Sequence, residues 1–92
     1  MEYPDEIKEL FNRYETDWLH VDTPEDWYPF ILDCHKELLA VDPRYTIFQI
    51  KEKFGGLRYY MSTVNPESYQ EMLNITLKYE RKVAEHERNK QD

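Results

Sequence analysis

The chain's two glycines are adjacent, Gly55-Gly56, and they divide two runs rich in β-branched and aromatic residues, Tyr45 to Phe54 and Leu57 to Val64. Glycine accepts the positive φ that a two-residue hairpin turn demands, so the pair predicts an antiparallel β-hairpin with Gly55-Gly56 at its tip. With that turn, Phe54 faces Leu57, Lys53 faces Arg58, Glu52 faces Tyr59 and Lys51 faces Tyr60. Side chains alternate across a strand. Phe48, Ile50, Phe54, Leu57, Tyr59 and Met61 therefore share one face, read as core, while Gln49, Lys51, Lys53, Arg58 and Tyr60 share the other. Lys53 opposite Arg58 is a like-charge pair, unfavourable within the range of about 0.2 to 1 kcal/mol for such contacts. Acids of the N-terminal helix, water and salt, or an anionic partner would relieve it. Glu52 falls on the core face, where an unpaired carboxylate is costly. It calls for the Tyr59 hydroxyl, a helix N-terminus, solvent at the edge, or a bulge that turns it outward.

An isolated pair of strands is marginal in water, so helices must cover the apolar face. Pro4, Asp5 and Glu6 have the character of a helix start, and Ile7, Leu10, Phe11 and Tyr14 recur at helical spacing, which predicts a first helix to about residue 15. The stretch from Thr16 to Trp27 mixes turn formers with apolar residues and is expected to cross the surface as a loop anchored by Trp18 or Leu19. Thr23-Pro24-Glu25-Asp26 reads as an N-cap, a proline at the first helical position and acids in the first turn. Trp27, Phe30, Ile31, Cys34, Leu38 and Val41 form the apolar stripe of this second, central helix. Asp42-Pro43 ends it, because the residue before proline avoids the helical region. Asn65-Pro66-Glu67 repeats the same start signal for a long third helix with Tyr69, Met72, Leu73 and Thr76 on one face. Past Glu80 it turns almost wholly polar, and residues 80–92 are expected to project into solvent or fray. The order is α+β: two N-terminal helices, one antiparallel hairpin and one long C-terminal helix, in a single small domain spanning 1–92.

The formal net charge is -7. Residues 1–26 hold nine acids against Lys8 and Arg13, residues 27–64 four acids against five bases, and residues 65–92 six against five, so the acidity belongs to the N-terminal quarter. This balance disfavours general nucleic-acid binding, which works by displacing counterions from phosphates, and favours a basic protein partner or simple solubility. Eight Tyr, four Phe and two Trp are a generous aromatic share for 92 residues, and some are expected at an interface. The lone Cys34 cannot form an intramolecular disulfide, no apolar run suffices to span a bilayer, and Glu2 and Asp5 stand where a signal leader would be basic and apolar. The expected setting is cytoplasmic.

Trp27-Tyr28-Pro29 and the decapeptide from Lys51 to Tyr60 resemble a group of small bacterial and phage-encoded proteins marked by a Trp-Tyr-Pro helix start and a Lys-Glu-Lys-Phe-Gly-Gly-Leu-Arg hairpin. The likeness covers about residues 26 to 61. It implies a bacterial or phage-infected host cell as the setting and carries no activity with it. Many relatives continue into a cysteine-rich tail resembling a zinc ribbon, whereas this chain ends in a charged helix without cysteine. A metal or nucleic-acid role of such a tail is therefore not carried over.

No catalytic constellation emerges. Cys34 and His35 are neighbours, so on a helix their side chains diverge by about 100 degrees and do not form a nucleophile and base pair. Cys34 reads as a small core residue. His20, Asp22 and His35 lack the helical spacing that pre-positions metal ligands, and His86 reads as a solvated residue on the polar tail. Gly55-Gly56 lacks the Lys-Ser/Thr of a phosphate loop. No catalytic residue, cofactor or metal is expected.

The leading reading is a non-enzymatic protein-interaction module, a phage-encoded regulator or inhibitor of a host protein. Its candidate contact residues are Gln49, Lys51, Lys53, Arg58 and Tyr60. A second candidate face is acidic, with Glu2, Asp5, Glu6, Glu9, Glu15, Asp17 and Asp22 spaced to imitate phosphates. The alternative is nucleic-acid binding through the basic, tyrosine-bearing hairpin face, where cations grip phosphate and rings stack on bases. Homodimerisation through a strand edge or aromatic patch is a further expectation.

Overall fold

The computed structural model of the chain describes residues 2–90 and shows an α+β fold. Helix α1 spans Asp5–Leu10, buries Ile7 and Leu10, and starts where the Pro4 carbonyl accepts the amides of Ile7 and Lys8, each at 3.0 Å. It ends sooner than its apolar spacing predicts. A single 3-10 turn, Phe11–Arg13, follows, and Tyr14 then leaves the helix to form a parallel bridge with Ile47, with the Glu15 amide 2.9 Å from the Ile47 carbonyl. The far-off strand competes for this backbone and wins.

Trp18 and Leu19 do not anchor the following loop; they are 62% and 44% exposed. The anchor is Val21, buried in a two-residue strand, β1 (Val21–Asp22), that pairs in parallel with a later strand, Val21 against Ile50 and Asp22 against Lys51. Tyr14 fastens the loop by donating its hydroxyl to the His20 carbonyl at 2.6 Å.

A 3-10 turn, Glu25–Trp27, leads into α2 (Tyr28–Val41), which buries Ile31, Cys34 and Leu38 behind the buried Trp27. Thr23 does not cap this start, since its hydroxyl donates to the Pro24 carbonyl instead. The helix does stop before Pro43, with Asp42 extended at φ -144° and ψ 101°. The Asp42 carboxylate then accepts the Arg44 amide at 2.9 Å and the Thr63 hydroxyl at 2.5 Å, joining the end of α2 to the end of the hairpin. Because β1 and the strand after α2 run parallel, α2 is the crossover between them.

Strands β2 (Thr46–Lys53) and β3 (Gly56–Ser62) form the hairpin, and the sheet order is β1-β2-β3. The turn residues are Phe54 and Gly55, at φ 55° and 80°, and not Gly55-Gly56. Pairing accordingly sets Ile50 opposite Tyr59, Lys51 opposite Arg58, Glu52 opposite Leu57 and Lys53 opposite Gly56. Moving the turn by one residue changes each partner by two, so residues keep their faces while changing neighbours. Phe54 leaves the core face for the tip, where it is 92% exposed. Phe48 is likewise displaced. A bulge between Ile47 and Gln49 turns both Ile47 and Ile50 inward, although they are three positions apart, and leaves Phe48 56% exposed. In the expected register Glu52 would lie opposite the buried Tyr59. Here it is exposed beside the turn and accepts the Gly55 amide at 2.6 Å. Burying an unpaired carboxylate costs more than the about 1 to 2 kcal/mol for one left-handed residue, which accounts for the choice.

Helix α3 (Pro66–Lys90) packs against α2 and along β3, burying Met72, Thr76, Tyr79 and Val83. The stretch past Glu80 stays helical and packed through Lys90, and the last two residues of the expected tail lie outside the described residues. Val83 is fully buried, Trp27 donates its indole N–H to Glu87 at 2.9 Å, and Asp26 meets His86 at 2.8 Å and the Lys90 ammonium. His86 is therefore half-buried and partnered. No helix among the described residues is long and apolar enough to cross a membrane.

Candidate interaction surface

The helices lie against one side of the sheet, and the residues that alternate to the other side are exposed or half-buried: Gln49, Lys51, Lys53, Arg58 and Tyr60. All five candidates share this face, with Lys51 directly across from Arg58 and Gln49 across from Tyr60. Phe48 joins them, and with Gln49, Lys51, Tyr60, Ser62 and the core-packed Met61 it lines a shallow groove of about 430 Å3.

The three cations have different surroundings. Arg58 turns over the β3 edge, where one guanidinium nitrogen donates to the Leu57 carbonyl at 2.9 Å and lies 3.9 Å from the Glu80 carboxylate of α3. Glu80 also accepts the edge amide of Tyr59 at 3.4 Å, so it closes the open side of β3 while answering the arginine. Desolvation raises the Glu80 carboxyl above its ordinary range. The acid that balances the hairpin thus comes from the C-terminal helix, not from the N-terminal one. Lys51 neighbours Asp22 on β1, and neither Lys51 nor Lys53 has an ion-pair partner among the described residues. The Lys53 ammonium instead lies 5.7 Å from the centre of the Phe54 ring.

Phe48 and Phe54 are the contact residues that alternation alone assigns to the core. The signal pointing outward was Glu52, which a Gly55-Gly56 turn would have set opposite the buried Tyr59. Hydrophobic exposure at Phe54 is nearly complete although its backbone occupies the left-handed region that bulky residues avoid, and the adjacent Gly55-Gly56 pair could have formed the turn without strain.

The acidic candidates are all exposed but go to separate neighbours. Glu2 meets Lys8 at 3.3 Å, Glu15 accepts the Thr46 hydroxyl at 3.0 Å, Glu9 borders a cleft with Arg13 and Arg44, and Asp22 lies beside Lys51. Asp5, Glu6 and Asp17 make no ion pair among the described residues.

Cys34 is fully buried, and desolvation pushes its thiol well above the usual range, so it carries no thiolate at neutral pH. His35 turns away to Tyr45. Among the described residues the one close group of metal-ligand types is Asp26, His86 and Glu87, with ligand atoms within 4.8 Å of one another. The Lys90 ammonium contacts both of its carboxylates. Comparison with protein-family models, with curated proteins and with solved structures finds no match to this chain.

Proposed function

We propose that the protein is a non-enzymatic interaction module whose contact surface is the hairpin tip and the uncovered face of the sheet. The observation that carries this is Phe54: an exposed aromatic ring, held in a strained conformation at the end of a hairpin, beside the Lys53 ammonium, which has no ion-pair partner among the described residues. Rigid aromatic anchors beside a polar, charged rim are the usual source of binding energy at protein interfaces. Taken with the resemblance of residues 26 to 61 to small bacterial and phage-encoded proteins, the reading is of a phage-encoded regulator or inhibitor that docks on a host protein.

The test uses affinity capture from bacterial lysate with wild type, Phe54→Asn and Lys51→Ala/Lys53→Ala side by side. Asn-Gly is the preferred pair for a turn with two left-handed residues, so Phe54→Asn should raise stability by about 0.5 to 1 kcal/mol while abolishing capture. Loss of binding in a variant that melts higher cannot be ascribed to unfolding. Retention of the same proteins by both variants would refute the assignment.

One observation favours a second reading. Phe48 and Tyr60 lie on the open face beside Lys51, an arrangement on which unpaired bases stack while a cation meets the phosphate. The net charge of -7 opposes it. Titration of labelled single-stranded oligonucleotide at low salt decides, since absence of binding there removes it.

A further inference from the structure

A cleft of about 610 Å3 opens between α1, α2 and the start of β2 and shares no residue with the hairpin face. His35, Arg13, Arg44, Tyr45 and Glu9 all line it. Behind it runs a chain of hydrogen bonds, Tyr59 hydroxyl to Tyr45 hydroxyl at 2.7 Å and Tyr45 hydroxyl to His35 Nδ1 at 2.6 Å.

The direction of that chain follows from burial. Tyr59 is 3% exposed, and the Tyr45 oxygen is the one acceptor its hydroxyl has among the described residues. A buried hydroxyl proton without an acceptor is costly, so Tyr59 donates to Tyr45, and Tyr45 in turn donates to His35. Nδ1 is thereby an acceptor, and the imidazole proton is on Nε2, the nitrogen left for the cleft. Desolvation, with the nearby charge of Arg13 second, lowers the His35 pKa to about 4, so the ring is neutral at physiological pH. It is a donor of fixed orientation. Phenylalanine would fill the positions of Tyr45 and Tyr59 without needing partners; the two hydroxyls serve to hold this ring.

Arg13 is equally constrained. One nitrogen donates to the carbonyls of Pro43 at 3.0 Å and Tyr45 at 2.9 Å, and its guanidinium carbon lies 5.0 Å from the Tyr45 ring centre. Its remaining N–H groups are free of partners among the described residues. The Arg44 side chain makes no hydrogen bond or ion pair among them either.

We infer that this cleft binds the phosphate group of a small molecule, with Arg13 and Arg44 as the charged donors and His35 Nε2–H as the neutral one. The guanidinium fork matches phosphate oxygens in pairs, and the volume falls within the about 300 to 1,000 Å3 typical of small-molecule sites. Glu9 repels the phosphate and sets polarity, so a hydroxyl or amine of the ligand faces it.

The experiment titrates inorganic phosphate into isotope-labelled protein at constant ionic strength, balanced with chloride, and follows the His35 ring and Arg13 Nε–H resonances. Saturable shifts are expected, weakened about tenfold by Arg44→Ser and tightened severalfold by Glu9→Gln. Arg44→Ser removes no structural contact of the side chain, and unchanged core resonances will verify its fold. The inference is overturned if phosphate gives no saturable shift, if Arg44→Ser leaves the shift unchanged, or if acetate binds as tightly as phosphate.

Discussion

Tyr45 and Tyr59 are the core residues whose hydroxyls depend wholly on each other and on His35. Removing one end of such a chain is worse than removing both. Tyr45→Phe leaves the Tyr59 hydroxyl buried with no partner, which should cost about 1 to 3 kcal/mol, whereas Tyr45→Phe/Tyr59→Phe removes donor and acceptor together and should cost less than the single change. Urea unfolding of the single, double and parent proteins measures the difference. A double variant less stable than Tyr45→Phe would mean that the hydroxyls do not act as a coupled pair.

At the level of elements, the hairpin and α3 show opposite relations between local signal and outcome. Two glycines announce a turn, yet one of them begins β3, and Glu52 stays wet beside the displaced turn instead of lying opposite Tyr59. The end of α3 reads as a polar tail, yet one apolar residue, Val83, fixes it over the core with help from Trp27 and Glu87. Val83→Ala should therefore lower stability by about 2 kcal/mol, a cost reserved for fully buried aliphatic side chains. Thermal melting or urea unfolding will register it. A change within about 0.5 kcal/mol, the usual surface value, would mean that this turn of helix is not docked.

For the whole molecule, acid stability is the informative property, because the folded chain perturbs groups of both kinds. His35 has an ordinary pKa of 6.5 and a folded one of about 4, so between those values the unfolded chain binds a proton that the native chain refuses. Stability is complete above 6.5 and declines as pH falls toward 4, by about 1 to 2 kcal/mol once the partial exposure of the ring is allowed for. Asp26 is lowered from 3.8 to about 2, first by its bond to Lys90 and then by His86, so its contribution persists above 3.8 and is lost as pH falls toward 2. Glu37, Asp42 and Glu87 are lowered too and reinforce the second limb, whereas Glu80, raised by desolvation, works in the opposite sense. Urea midpoints measured from pH 7 to pH 2 should fall in these two stages. His35→Asn, whose amide oxygen still accepts from Tyr45, should flatten the first stage alone; an unaltered slope there would rule out His35 as its source.

Much of this was legible in the residues themselves. Pro43 ended α2, Trp27, Ile31, Cys34 and Leu38 of the apolar stripe were buried, and the strand period placed Gln49, Lys51, Lys53, Arg58 and Tyr60 on one side of the sheet. Each of these follows from backbone preference or alternation within a few neighbouring positions, and alternation survives a turn displaced by one residue because partners then shift by two. What the local chemistry left open required groups far apart in sequence. Pairing of Val21 with Ile50, the bulge at Phe48, the capture of α3 by Trp27 and the line from Tyr59 through Tyr45 to His35 all join separate elements. Only the assembled core assigns a free energy to burying Glu52 or stranding a tyrosine proton, and those long-range costs selected the register, the exposed Phe54 and the donor wall of the cleft.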